Sequence, residues 1–234
     1  NLQGVQNRLG AIFFMVSILS FGSMSALETF VSEREQFVKE RQERYFYPPS
    51  YFIAKSIFDI FPLRVLPPIL LGSIAYWLIG LRPVLSHFLI FIFILVLLNL
   101  IASEFCLAIG TIVPNVATGN ILAIFYILYS MLFAGFLVNT AGLPWWLKWT
   151  PYLSFMSFGI QAMAINELVG VQVLITVKDI KIPEIKAAGT FVLTNLGINA
   201  DAFVENILFL VGYAVCFYVA AIVLLQIFVK EKRK

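Results

Sequence analysis

Charged residues are scarce in this chain of 234 residues. Asp, Glu, Lys and Arg make up 12% of it, whereas 61% is hydrophobic and 23 residues are phenylalanine; an ordinary soluble domain has roughly 25% charged residues. So few charges could not cover so much apolar surface in water, which excludes a soluble enzyme, a nucleic-acid-binding protein and a disordered chain. The mean hydropathy of +0.93 predicts an integral membrane protein instead.

Residue types that bind metals or catalyse reactions are also scarce. The sequence holds one histidine and two cysteines, too few for a zinc site. Cys106 and Cys216 fall within apolar segments, which predicts buried thiols. The sequence contains no glycine-rich phosphate loop, and its carboxylates are scattered. We therefore predict no catalytic site, metal or cofactor on this chain; if ATP is used, another domain hydrolyses it.

Five apolar segments are long enough to cross a bilayer, which takes about 20 residues per helix. They predict an all-α, polytopic transmembrane fold that forms one domain over residues 1–234. The predicted spans are about 9–30, 51–81, 84–112, 117–138 and 203–229.

The region 139–202 separates the last two spans. Its stretch 152–166 is apolar but too short to cross, and it follows three tryptophans within 145–149, a residue type that gathers at the headgroup level. This pattern favours an interfacial segment that leads into a re-entrant helix at 152–166, with a short sixth span as the alternative. Alternating apolar residues at 173–177 are compatible with a short strand.

Basic residues set the expected orientation. Four of the five residues at 230–234 are Lys or Arg, so the positive-inside rule places the C-terminus in the cytosol. Counting back five spans puts the N-terminus and the region 139–202 outside, and the basic segment 31–44 inside. Residue 1 is Asn and not Met, and because a chain without its start that begins outside must have crossed the membrane before, we expect at least one further span upstream.

Five ionisable residues share one predicted depth, near the cytosolic boundary of the membrane. Either each side chain reaches the interface independently, or the five form a paired network that links the spans to a cytosolic partner. A proton path is disfavoured because no acidic residue lies at mid-depth. The five residues are Glu28, Lys55, Asp59, Arg64 and Glu104.

The cytosolic segment 31–44 mixes both signs of charge at helical spacing. It predicts a distinct short helix, either solvated or docked against a partner, and the apolar pair Phe37 and Val38 among the charges favours docking. The candidate docking residues are Glu33, Arg34, Phe37 and Glu40.

The first span carries aromatic and hydroxyl side chains on one helical face. Phe14, Ser17 and Phe21 recur at three- and four-residue steps, and rings beside hydroxyls suit a flat amphipathic ligand. The alternative is a face that packs on lipid or on a neighbouring helix. The fourth span ends in Phe136 and Leu137, which could act as an apolar gate in a symmetric dimer.

Several motifs, taken in order, resemble the membrane domain of the G subfamily of ABC transporters. They include Gly4-Val5-Gln6-Asn7-Arg8, Glu33-Arg34-Glu35, Asp59-x-x-Pro62-x-Arg64 and Gly80-Leu81-Arg82-Pro83. The resemblance covers nearly the whole chain and is closest to half-transporters of the breast cancer resistance (multidrug) type. It implies a chain that lacks the ATP-binding domain and the first span of the family.

The resemblance also implies a function. It predicts part of an ATP-driven exporter of amphipathic small molecules such as lipids, sterols or drugs, in the plasma membrane or an organelle membrane. ATP and Mg would bind in a nucleotide-binding domain outside this chain, and a second half-transporter would complete a homo- or heterodimer. The rivals are an ion-coupled carrier, which would need a charge at mid-membrane, and a non-transporting receptor or scaffold, which would use the loop region 167–201.

Individual roles follow from the resemblance alone. It assigns coupling to 31–44, substrate stacking to Phe21, a plug that closes the exit to Phe136 and Leu137, and an influence on substrate choice to Arg64. Ile18 stands where the multidrug member has an asparagine, so the substrate can differ. The substrate surface is expected at the dimer seam, from Phe14, Ser17, Phe21, Ile127, Leu128 and Met131.

Overall fold

The computed structural model describes residues 2–42, 50, 54, 61–138, 142, 144–170, 172–175 and 185–228, with the side chains of 2, 34–42, 61, 172–175, 185–188, 226 and 228 excepted. These residues are mostly helical, as predicted. The helices are α1 (Leu2–Gly22), α2 (Ser25–Gln42), α3 (Phe61–Ile79), α4 (Leu85–Ile112), α5 (Val116–Leu132), α6 (Phe155–Leu168), α7 (Gly189–Asn195) and α8 (Phe203–Phe228).

Between α5 and α6 lie two 3₁₀ turns, Trp145–Leu147 and Thr150–Leu153. After α6 the strands β1 (Gln172–Ile175) and β2 (Ile185–Ala188) pair antiparallel, with Gln172 opposite Ala188. The first of these strands lies where the alternating residues 173–177 predicted one.

Four described stretches are long and apolar enough to cross a membrane, namely Gln3–Glu33, Pro62–Ile79, Leu85–Ile112 and Phe203–Leu225. The predicted polytopic helical membrane fold is therefore confirmed. Helix α5 is shorter, with 17 residues, and it ends six residues before the predicted bound of 138. The chain turns there, and Gly135 has φ +84°, a backbone conformation that glycine adopts without steric cost.

The first span, predicted at about 9–30, begins earlier than predicted, at Leu2, and it contains a break. Helix α1 ends at Gly22 and α2 begins at Ser25, so the helix breaks at Ser23–Met24, within the first of the four stretches that could cross a membrane. Helix α2 then continues without interruption to Gln42. The prediction of a distinct short helix at 31–44 is wrong, because residues 25–42 contain neither Gly nor Pro and are rich in Glu, Arg, Lys and Gln, which favour helix continuation.

Helix α4 is the centre of the fold and contacts α1, α2, α3, α5, α6 and α8. Helix α6 lies beside it, and each of its 14 residues except Gln161 is buried. At 1.5 Å per residue this helix is about 21 Å long, too short to span the hydrocarbon core. Side chains from several helices form the central core, among them Ile12, Val16, Tyr76, Phe91, Ile94, Leu95, Leu98, Phe155 and Met156.

Gly159 allows α6 to approach α4 closely. A Cβ atom added at this glycine would lie 2.5 Å from Cδ1 of Leu98, so we expect Gly159→Ala to lower the free energy of unfolding by about 1–3 kcal/mol through overpacking. Gly4→Ala is the matched control, because a Cβ at Gly4 meets nothing within 4 Å. Thermal unfolding of the purified protein checks the pair, and equal stability of the two variants would contradict the close contact.

Candidate functional site

Helix α1 presents three large apolar side chains at its surface. Phe14 is 63% exposed, Ile18 47% and Phe21 36%. They lie at i, i+4 and i+7, one face of a helix. We call this set the aromatic stripe. Phe13 precedes Phe14 by one residue and therefore points about 100° away from the stripe, and it is buried.

The predicted face was wrong at Ser17. This serine is buried, and its Oγ donates a hydrogen bond to the carbonyl oxygen of Phe13 at 2.7 Å. Successive helical residues point about 100° apart, so the stripe runs through Ile18 instead. The hydroxyl that suggested a ligand contact bonds to its own helix, a common use of serine within membrane helices.

The residues of α5 that were predicted to share the substrate surface also differ in their exposure. Leu128 is exposed, Met131 is half-buried against the core, and Ile127 is buried. The assignment of Ile127 to a substrate surface is wrong for this conformation, because its side chain packs within the central core. Helices α1 and α5 are in contact, so Leu128 and the aromatic stripe belong to neighbouring elements.

The break at Ser23–Met24 is held by Arg64 of α3. Its Nη1 donates to the carbonyl oxygen of Gly22 at 3.2 Å, and its Nη2 donates to Oγ of Ser25 at 2.8 Å. The C-terminal end of a helix leaves carbonyl groups without partners within the helix and carries a partial negative charge. The guanidinium compensates both, which gives Arg64 a structural role close to the aromatic stripe.

Asn99 of α4 completes this polar junction. Its Oδ1 accepts from Oγ of Ser23 at 2.8 Å, and its Nδ2 donates to the backbone oxygen of Arg64 at 2.7 Å. Asn99 is buried, so its amide connects the break after α1 to α3 and α4 in an apolar environment. Sequence reasoning missed Ser23 and Asn99, although an amide side chain within the predicted apolar span 84–112 was a usable signal.

The predicted layer of ionisable residues is not one network among the described side chains. Glu28 accepts through Oε1 from Nδ2 of Asn120 at 3.1 Å, and the buried Oε2 of Glu104 has no hydrogen-bond partner among described residues. Among the described side chains, the ion pair that the structure shows is that of Arg8 with Glu167, so neither Glu28 nor Glu104 supplies the predicted contact with Arg64. Lys55 and Asp59 lie outside the described residues, so pairing through them stays a prediction.

The predicted coupling residues all lie on α2. The backbones of Arg34, Phe37 and Glu40 are helical, and the side chain of Glu33 is half-buried. Docking of these residues against a partner stays a prediction. In the structure the four coupling residues lie on one continuous helix, which begins directly after the break in the first span.

The two predicted gate residues have different environments. Phe136 packs on Phe13, with ring centroids 5.2 Å apart, whereas Leu137 is exposed. Within this chain Phe136 belongs to the core next to α1, and Leu137 is the residue that a second subunit could contact. Their gating role stays a prediction.

A second polar junction, which we call the loop-side clasp, joins Arg8, Arg82 and Glu167. Glu167 at the end of α6 is 3% exposed; its Oε1 accepts from Nη1 of Arg8 at 2.7 Å, and its Oε2 accepts from the backbone N–H of Arg82 at 3.0 Å. The guanidinium of Arg82 donates to the backbone oxygen of Val169 at 2.9 Å. The clasp therefore fixes the short helix α6 to α1 and to the α3–α4 loop.

Comparisons with known proteins agree with this architecture. Residues 1–168 match the ABC-2 type transporter family. The chain is 38% identical over 230 residues to "ABC transporter G family member 24" of Dictyostelium discoideum. This match covers 98% of the chain and 20% of that protein. It is 36% identical over 167 residues to "Broad substrate specificity ATP-binding cassette transporter ABCG2" of Sus scrofa, covering 71% of the chain and 26% of the relative.

A yeast relative matches over the full length of the chain. The "Probable ATP-dependent permease" of Saccharomyces cerevisiae is 32% identical over 240 residues, which covers 100% of this chain and 22% of that protein. The chain thus spans a fifth to about a quarter of the length of these relatives.

Proposed function

Because the chain belongs to the ABC-2 type transporter family, as the predicted resemblance to G-subfamily membrane domains required, we propose that it is the membrane-spanning part of an ATP-driven exporter of amphipathic small molecules. Lipids, sterols and drugs are the substrate classes that the aromatic stripe suits. ATP and Mg would bind in a nucleotide-binding domain outside this chain.

The observation that carries this proposal is the aromatic stripe itself. Phe14, Ile18 and Phe21 are exposed on a helix that crosses the membrane, so a flat apolar molecule can contact their side chains without opening the chain's own core. Aromatic rings favour stacked or edge-on contact with such molecules. We propose that a second half-transporter faces the stripe, and that Leu128 and Met131 contribute to the same substrate surface.

Helix α2 offers a route by which ATP hydrolysis could act on that surface. It has 18 residues, about 27 Å at 1.5 Å per residue. It begins at the break beside Phe21 and, in the proposed orientation with a cytosolic C-terminus, ends in the cytosol. Since it is one helix, a displacement of its cytosolic end by a nucleotide-binding domain would move the break directly.

Transport by the full-length protein in proteoliposomes tests the proposed function. We expect ATP-dependent movement of a flat, fluorescent amphipathic compound, and no movement when the nucleotide-binding domain carries a substitution that blocks hydrolysis. Movement driven by an ion gradient without ATP would establish a carrier instead. Binding of the compound without any movement would establish a receptor or scaffold.

The coupling residues give a separate prediction. Replacing Glu33 and Glu40 together by Ala should lower the stimulation of ATP hydrolysis by substrate at least about five-fold, the low end of ordinary coupling free energies, while basal hydrolysis is retained. Asp201→Ala is the control, because it removes an exposed acid away from α2. If substrate stimulates ATP hydrolysis equally in the double variant and in the control, α2 has no coupling role.

A further inference from the structure

A cavity of about 390 Å³ lies between the 3₁₀ turns, α6 and the first residues of α8. It is unrelated to the aromatic stripe, which lies on α1. Its wall combines aromatic side chains with charged and amide groups. The polar residues that face it include Lys148, Gln161, Glu205 and Asn206.

An apolar groove adjoins this cavity along α8. The groove has a volume of about 570 Å³ and shares Glu205 and Phe209 with the cavity. It continues past Gly212 to Cys216, a distance of about 16 Å at 1.5 Å per residue. A polar compartment thus leads into an apolar one of the length of a lipid chain segment.

The polar cavity has a hydrogen-bond donor without a partner among the described residues and two opposite charges that do not pair with each other. Asn206 is 4% exposed, and its Nδ2 has no hydrogen-bond partner among the described residues. A buried donor of this kind costs free energy unless a ligand or water accepts its hydrogen. Lys148 and Glu205 carry opposite charges on one cavity wall, and within the described part of the chain they do not pair with each other.

The depth of the cavity follows from the tryptophans that flank one of its lining residues, Lys148, in the sequence. Trp145, Trp146 and Trp149 are all exposed, and tryptophan side chains concentrate at the headgroup level of a bilayer. Lys148 lies among them in the sequence, so the polar cavity is at the headgroup level. The groove runs from there along a membrane-crossing helix, at the depth of the acyl chains.

We propose that this site binds a resident phospholipid with a zwitterionic headgroup. The phosphate lies by Lys148, the headgroup ammonium by Glu205, and an oxygen of the lipid accepts the free hydrogen of Asn206 Nδ2. One acyl chain follows the groove past Phe209 and Gly212. Charge complementarity selects this occupant: a sterol would leave both charges unused, and an anionic headgroup would leave Glu205 without a cation.

Photo-crosslinking in lipid nanodiscs tests this site on the full-length protein. The probe is phosphatidylcholine with a diazirine in its acyl chain, and mass spectrometry locates the labelled residues. We expect labelling to concentrate on residues 205–216. Gly212→Phe should reduce it at least about five-fold, which corresponds to about 1 kcal/mol, because a Cβ at this glycine meets nothing within 4 Å and the ring fills the groove.

The matched control is Val219→Phe, which enlarges an exposed residue of the same helix outside the groove and should leave labelling unchanged. Lys148→Ala combined with Glu205→Gln should remove the preference for phosphatidylcholine over a phosphatidylglycerol probe. Size-exclusion profiles and ATP hydrolysis show whether each variant is folded.

Three results would overturn the proposal. Uniform labelling around α8 would mean ordinary surrounding lipid only. Equal labelling by the phosphatidylglycerol probe in the unsubstituted protein would remove the charge argument, and displacement of the probe by a sterol at equal concentration would assign the site to sterols. None of these results depends on transport, so the proposed function is tested separately.

Discussion

Glu167→Ala is expected to lower the free energy of unfolding by about 3 kcal/mol. Removing one partner of a buried ion pair typically costs about 3–5 kcal/mol, and the low end applies because the side chain of Arg8 retains 38% exposure. The backbone N–H of Arg82 loses its acceptor as well. Thermal unfolding of the purified full-length protein measures the effect, which should far exceed that of Asp201→Ala, an exposed acid on the same side.

A double-mutant cycle separates the ion pair from the other effects of the substitution. Arg8→Ala, Glu167→Ala and the double variant should show a coupling free energy within the range of about 0.5–3 kcal/mol found for contacting residues. Additive losses would show that the clasp contributes no pairwise energy. Glu167→Gln should cost less than Glu167→Ala, because its amide oxygen can still accept from Arg82.

Most of the helical architecture could be predicted from hydropathy. A bilayer requires every backbone group to be bonded within the span, so long apolar runs become helices with bounds set by composition. Helix α4 is observed at Leu85–Ile112 against the predicted 84–112, and it continues past Glu104 as expected. The short helix before the hairpin, predicted at 152–166, is observed at Phe155–Leu168.

The break in the first span could not be predicted from its own residues. Gly22 costs a helix about 1 kcal/mol, and a Gly-Ser pair can kink a helix, but such a pair does not determine that the helix breaks. The break persists because Arg64 and Asn99, from two other helices, bond to its exposed groups. These contacts join residues that are 42 and 76 positions apart. Local propensity contains no information about partners at that distance.

The burial of Ser17 and the clasp were missed for related reasons. On a helix, Ser17 and Ile18 differ by one 100° step, and only the packing of α1 against α4 and α6 decides which of them is buried. Glu167 belonged to the predicted polar loop region, whereas it ends the buried helix α6 and pairs with Arg8, 159 positions away. A buried carboxylate cannot be recognised before its cation is placed.

Phe21→Ala is expected to raise the substrate concentration at half-maximal transport about thirty-fold. A ring that stacks on a flat substrate contributes roughly 0.5–1.5 kcal/mol beyond the free energy of area burial. If each ring contributes about 2 kcal/mol of binding free energy in total, its removal lowers the affinity for substrate about thirty-fold. If two subunits each present a Phe21 to one substrate, the loss is larger. ATP-dependent uptake into proteoliposomes, measured over a range of substrate concentrations, gives the value.

Alanine variants of two other phenylalanines distinguish a loss of substrate contact from a loss of packing in the membrane. Phe93 on α4 is exposed on a membrane-crossing helix like Phe21, but it is not part of the aromatic stripe, so Phe93→Ala should leave half-maximal transport unchanged. Phe13 is buried against Phe136, so Phe13→Ala should lower stability more than substrate affinity. If Phe21→Ala and Phe93→Ala behave alike, the aromatic stripe is a lipid-facing surface and the substrate binds elsewhere.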